Sequence, residues 1–145
     1  MSKETKTTVY EFDPCIYPRL LWVVKGGTLD GIKEVLDLGN YDEELEDDSG
    51  AMTFCNVRRK SDGNIGALVW FPKASNINNA DWIAHESTHV AMWMFEEIGG
   101  VFDAHNQEPV AYLVGWSFGC IYKVRKANKD NSGDYTILCA PVEDK

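Results

Sequence analysis

Hydrophobic residues along this chain recur at two spacings, the alternation typical of strands and the longer repeat typical of helices. Five segments are short and rich in β-branched and aromatic residues, which predicts strands. Pro14 and Pro18 mark bends or edges between the first two, and Asp62-Gly63 supplies the turn of a β-hairpin between the next two. The predicted strands are 8–12, 16–24, 51–59, 65–71 and 135–140.

The helical spacing of apolar residues predicts three helices. Thr28 caps a short first helix, which ends at Gly39-Asn40. The second helix ends at Gly99-Gly100, where a left-handed residue is easily accommodated. The third helix has Asn106 as its cap and Pro109 in its first turn, where a missing N–H costs nothing. The predicted helices are 29–38, 80–98 and 107–126.

The order of these elements is that of an α+β domain in which a small mixed sheet packs on two helices. A chain of 145 residues is long enough for one domain and too short for a bilobal enzyme, so we expect a single domain over 1–145, with 1–7 flexible. The first residues carry no apolar run that could serve as a signal peptide, and no segment has the roughly 18 apolar residues of a membrane span.

Charge and cysteine usage restrict the partners and the compartment. The net charge of −9 disfavours nucleic acid and anionic membrane surfaces, because both would repel the protein. Much of the acidity lies in 42–48, a run that predicts a solvated loop. The cysteines are scattered without a C-x-x-C pair, which favours reduced thiols and predicts a cytoplasmic protein.

One segment, His85-Glu86-Ser87-Thr88-His89, has the spacing of a zinc site. Histidines at i and i+4 project from one face of a helix, about 40° apart, so both imidazoles can reach one cation. Glu86 lies about 60° around the helix from His89, too far to share the metal comfortably but close enough to act as a general base on a water beside it. Two such histidines could instead be hydrogen-bonded in a polar contact between helices.

The third zinc ligand is expected on the next helix. Zinc in catalytic sites usually takes three protein groups and leaves one position for water. Glu108 is the candidate, because the chain returns after a short loop and places it at the start of a helix packed against the first. On that helix Glu108, Tyr112, Gly115 and Gly119 share one stripe, where the glycines would allow close approach of the two backbones. His105, in the connecting loop, is the rival ligand.

Three aromatic residues lie near the predicted metal site. Tyr112 could donate its phenol to the oxyanion of a tetrahedral intermediate, or it could serve in packing or as a hydrogen-bond donor behind the ligands. Trp82 and Trp93 flank the histidines on the metal side of the helix. They either line an apolar substrate pocket or pack in the core against the following helix.

The motif, with a glutamate after 18 intervening residues, resembles the signature of the gluzincins, a clan of zinc metallopeptidases. The resemblance implies a zincin-like fold, zinc as the cofactor and a peptide or protein as the substrate. Position by position, it implies that His85, His89 and Glu108 are the zinc ligands and that Glu86 is the catalytic base and acid. It also implies that an edge strand, assigned to 66–71, receives the substrate as an added strand.

The likeness covers roughly 64–123 and departs from the clan at two positions. Ser87 stands where an apolar residue is usual, and Tyr112 stands where some members carry an aspartate. A second resemblance, carried by 13–18 and 108–112, is to small proteins of bacterial mobile elements and phages.

Two further functions stay open. In the first, zinc is bound by a latent or non-catalytic interaction protein, the tail at 127–145 covers the cleft, and Cys139 takes the open position on the metal. In the second, the motif has arisen by chance in a structural or inhibitory protein, in which case His85 and His89 should point apart.

Overall fold

A six-stranded mixed sheet with three helices forms the protein in the computed structural model, which describes residues 6–39, 50–127 and 135–139. The strands lie in the order β3-β4-β5-β2-β1-β6, and all neighbours are antiparallel except the central pair, β2 and β5. The strands are β1 (Val9–Phe12), β2 (Leu20–Lys25), β3 (Leu36–Asp37), β4 (Met52–Arg59), β5 (Ile65–Phe71) and β6 (Thr136–Leu138). The helices are α1 (Leu29–Lys33), α2 (Ala80–Glu97) and α3 (Glu108–Lys126), with a 3-10 helix at Ala74–Asn78.

Each face of the sheet has its own hydrophobic core. Side chains alternate across a strand, so Leu21 and Val23 of β2 pack under α2 and α3, whereas Trp22 and Val24 face the opposite core, which α1 covers. All four are fully buried. The α+β prediction is therefore confirmed, and α2 lies on one face of the sheet with α3 beside it.

The sheet is strongly curled. Glu11 on β1 accepts hydrogen bonds at Oε1 from Trp22 Nε1 at 2.8 Å and from the guanidinium of Arg59 at 2.7 Å. Arg59 is at the end of β4, and two strands separate β4 from β1 in the sheet. Only a sheet that curls around the α1 core can bring these two side chains together.

Local signals predicted the elements around the motif well. The β-hairpin of β4 and β5 forms as expected, with Gly63 in the left-handed region at φ 77°. The motif helix ends at Glu97, one residue earlier than expected, and Gly99 takes φ 81°. A final short strand also forms, inside the predicted 135–140.

Three predicted boundaries were wrong. The first helix ends at Lys33, because Leu36 pairs with Arg59 as part of β3, and its spacing of two residues from Leu38 is that of a strand. The second strand starts at Leu20 and not at 16, after the proline-bounded loop. Asn106 is not the cap of α3, because Gln107 occupies that position and makes no side-chain cap bond.

The edge-strand prediction was also wrong. The segment 66–71 belongs to β5, which lies inside the sheet between β4 and β2. The strand next to α2 is β4, and β3 pairs with it at Arg58 and Arg59. The acidic segment 42–48 lies outside the described residues. None of the helices in the described ranges is long and apolar enough to cross a membrane.

Candidate metal centre

The two motif histidines point at the same place. His85 and His89 lie on adjacent turns of α2, and their Nε2 atoms are 3.1 Å apart. Two nitrogens bound to one tetrahedral zinc at about 2.0–2.1 Å would lie about 3.3 Å apart. The rings therefore have nearly the separation that a shared cation requires. The expectation attached to an accidental motif, that the histidines point apart, is not met.

Glu86 is held beside this pair but turned toward the sheet. Its side chain is buried, with 6% of the residue exposed, whereas the side chain of His85 is 69% exposed. Its Oε1 accepts a hydrogen bond from Thr53 Oγ1 of β4 at 3.1 Å, and its Oε2 lies 3.9 Å from His85 Nε2. The possible ligand atoms of His85, Glu86 and His89 all lie within 4.8 Å of one another.

The helix is fixed in place by its apolar face. Ile83, Val90, Ala91 and Met94 are buried against the sheet and α3. Ser87, at the position where gluzincins usually carry an apolar residue, is also fully buried, and its hydroxyl donates to the carbonyl of Ile83 at 2.6 Å. Because this bond satisfies the hydroxyl within the helix, Ser87 acts as a small core residue.

Glu108 begins α3, as predicted, and it is exposed. Its carboxylate does not belong to the group of ligand atoms around the histidines, so its role as third ligand stays a prediction. His105 is exposed in the α2–α3 loop, where its backbone N–H donates to Asp103 Oδ1 at 2.8 Å, and it is not in that group either.

The predicted glycine contact between α2 and α3 was wrong. A Cβ added at Gly115 or Gly119 would meet nothing within 4 Å, so these two glycines do not lie in a close contact between the helices. Tyr112, on the same stripe, is 74% exposed. Its packing role is therefore excluded, and its phenol faces solvent.

A groove runs between β4 and α2 on both sides of Glu86. Ala51, Thr53 and Cys55 alternate with residues of the α1 core, so these three face α2. One half of the groove has a volume of about 410 Å³ and is lined by Gly50, Ala51, Asp81, Trp82, His85 and Glu86. The other half has about 330 Å³ and is lined by Thr53, Cys55, Glu86, His89, Met92, Trp93 and Glu96.

Both predicted tryptophans, Trp82 and Trp93, line this groove. Trp82 is 37% exposed and lies over Gly50, where an added Cβ would come within 2.6 Å of the ring. Trp93 touches the core on one side and lines the groove on the other.

Thr53, the hydrogen-bond partner of Glu86, was not predicted from the sequence. The alternation of β4 places it on one face with Ala51 and Cys55, but only the packing of β4 beside α2 shows which helix that face meets.

The described part of the C-terminal tail ends next to the α1 core, on the opposite face of the sheet from α2. β6 pairs with β1 at the opposite edge from β3 and β4. Cys139 lines a small cavity with Val35, Arg59 and Leu138, next to the α1 core. This position argues against Cys139 as a ligand. The remaining tail residues, 128–134 and 140–145, lie outside the described ranges.

In comparisons with known proteins, no family model, no curated protein and no solved structure matches this chain.

Proposed function

We propose that the protein is a zinc-dependent metallopeptidase with a minimal gluzincin-like site on a zincin-like fold. The observation that carries the proposal is the pair of Nε2 atoms of His85 and His89, 3.1 Å apart on exposed rings, beside the buried carboxylate of Glu86. Two imidazoles on one helix face and a carboxylate just behind them form the donor set that zinc hydrolases use.

The proposed ligands are His85, His89 and Glu108, which leaves one position on zinc for water or substrate. Zinc, when bound, would polarise the carbonyl of a peptide bond and lower the pKa of a coordinated water toward about 7. Neutral imidazoles suit this ion, and their exposure leaves room for a third protein ligand and for the substrate.

Glu86 is the proposed general base. Thr53 holds one carboxylate oxygen, and the other oxygen, Oε2, lies on the side of His85. Glu86 would take a proton from the attacking water and pass it to the leaving amine. Tyr112, whose phenol is exposed, is the proposed donor to the oxyanion.

The groove between β4 and α2 is the proposed place of the substrate. A peptide bound there would pass along both sides of Glu86, with Thr53 of β4 on one wall and His89 of α2 on the other. The substrate-binding role expected for 66–71 is therefore assigned to this groove. The proposed substrate is accordingly a peptide or an extended protein segment.

Zinc binding is the experiment that tests the site. Protein purified without chelators or a histidine tag should contain about one equivalent of zinc per chain, and His89→Ala should lose it, because two remaining ligands rarely hold zinc tightly. The matched control is Thr88→Ala, on the same exposed face, whose hydroxyl bonds only within the helix in the described structure. Full zinc content in His89→Ala would reject the site.

A further inference from the structure

The half of the groove beyond His89 has the shape of a pocket for a long side chain. His89, Met92, Trp93 and Glu96 recur at helical spacing on one side of α2 and line a volume of about 330 Å³ with Cys55 of β4. His89 and Glu96 are two helical turns apart, which is about 10 Å along the axis. Between them the walls are the thioether of Met92, the indole of Trp93 and the thiol of Cys55.

The far end of this pocket carries an uncompensated negative charge. Glu96 is exposed, and no residue in the ranges 6–39, 50–127 and 135–139 forms an ion pair with it. Its neighbour Glu97 differs, because its Oε1 accepts from Arg19 Nε at 3.0 Å. The carboxylate of Glu96 is therefore available to pair with a cationic group in the pocket.

The thiol of Cys55 lines the same pocket as Glu96. Burial, followed by the carboxylates of Glu97 and Glu96, raises the pKa of the Cys55 thiol to about 11. The contribution of the two carboxylates has the sign that would favour a cation in the pocket.

From this geometry we propose that the pocket binds the side chain of lysine or arginine, so that a basic residue beside the cleaved bond defines the substrate class. The aliphatic stem would lie along Met92 and Trp93, and the cationic head would reach Glu96. The indole of Trp93, which lines the pocket, would add a cation–π contact, and this contact favours a guanidinium over a neutral group of the same shape. The biological role rests on the proposed peptidase function, whereas the pocket can be tested without it.

The test uses two small probes, butylguanidine and its neutral counterpart butylurea. Their binding to the full-length protein would be followed by the NMR shift of the Trp93 indole N–H, assigned with Trp93→Phe. We expect butylguanidine to bind about tenfold more tightly than butylurea, as one ion pair and one cation–π contact would give. Glu96→Gln should reduce this preference to about threefold or less, because only the cation–π contact would remain. Glu34→Gln, which removes the same charge from the exposed end of α1, should keep it.

Peptide cleavage provides a second test of the pocket. Zinc-loaded protein should cleave a peptide with lysine near the cleaved bond about tenfold faster in kcat/KM than the same peptide with norleucine, and Glu96→Gln should reduce this ratio to about threefold or less. Equal binding of the two probes by the wild type, or a preference that Glu96→Gln leaves unchanged, would overturn the inference. A probe preference without any peptide cleavage would instead reject the proposed peptidase and keep the cation pocket.

Discussion

Thr53 of β4 donates its hydroxyl to Glu86 of α2, with 3.1 Å between Oγ1 and Oε1. This bond joins a strand that lines the proposed substrate groove to the residue proposed as the base. It also fixes which oxygen of Glu86 is turned toward the sheet and which toward the histidines. A buried carboxylate without such a donor would lose both orientation and stability.

Removal of this hydroxyl should lower turnover without loss of metal. Thr53→Val preserves the shape of the side chain and leaves Oε1 of Glu86 without its donor, which should destabilise the fold by about 1–3 kcal/mol. A less well oriented base should also lower kcat about tenfold, with little change in KM. Thr53→Ser should restore most of both. Thr53→Val with wild-type kcat and stability would show that the bond does not position Glu86.

The third ligand can be assigned by a comparison of two variants. Glu108→Ala should lose most of the bound zinc, whereas His105→Ala should keep it, because only Glu108 is expected to complete the ligand set. Zinc would be quantified per chain in both proteins after the same dialysis. The reverse result would place the third ligand in the α2–α3 loop, and full retention in both would leave the buried carboxylate of Glu86 as the remaining candidate.

The contacts of Glu11 across the curled sheet lead to a prediction about stability. Glu11→Ala would leave the indole N–H of Trp22 and the partly buried guanidinium of Arg59 without their shared acceptor. We expect a loss of about 2–4 kcal/mol in the free energy of unfolding, measured by urea denaturation of the zinc-free protein. Glu11→Gln keeps an acceptor and should lose less. Equal stability of Glu11→Ala and the wild type would show that this contact does not hold the curl.

The sequence predicted those features that depend on neighbours along the chain. The histidine pair follows from i and i+4 spacing, the β4–β5 turn from Asp62-Gly63, and the end of α2 from Gly99. Each of these is specified within a few residues, so no knowledge of the tertiary fold was needed.

The features that were missed depend on long-range pairing. β5 lies inside the sheet because β2 pairs with it in parallel, with Leu21 opposite Ala67, and no local pattern specifies that partner. The bond from Thr53 to Glu86 and the pocket around Trp93 depend on the same arrangement, which places β4 beside α2. The exposure of Tyr112 likewise depends on which face of α3 meets α2.

Hydrolysis by the Glu86→Gln variant tests the central claim most directly. The amide keeps the shape of the side chain and removes the base, so the variant should bind as much zinc as the wild type and cleave a mixed peptide library at least about 100-fold more slowly in kcat. Zinc and cleavage would be measured in the same samples. The account predicts equal zinc and lost cleavage, and equal cleavage by the two proteins at equal zinc would contradict it.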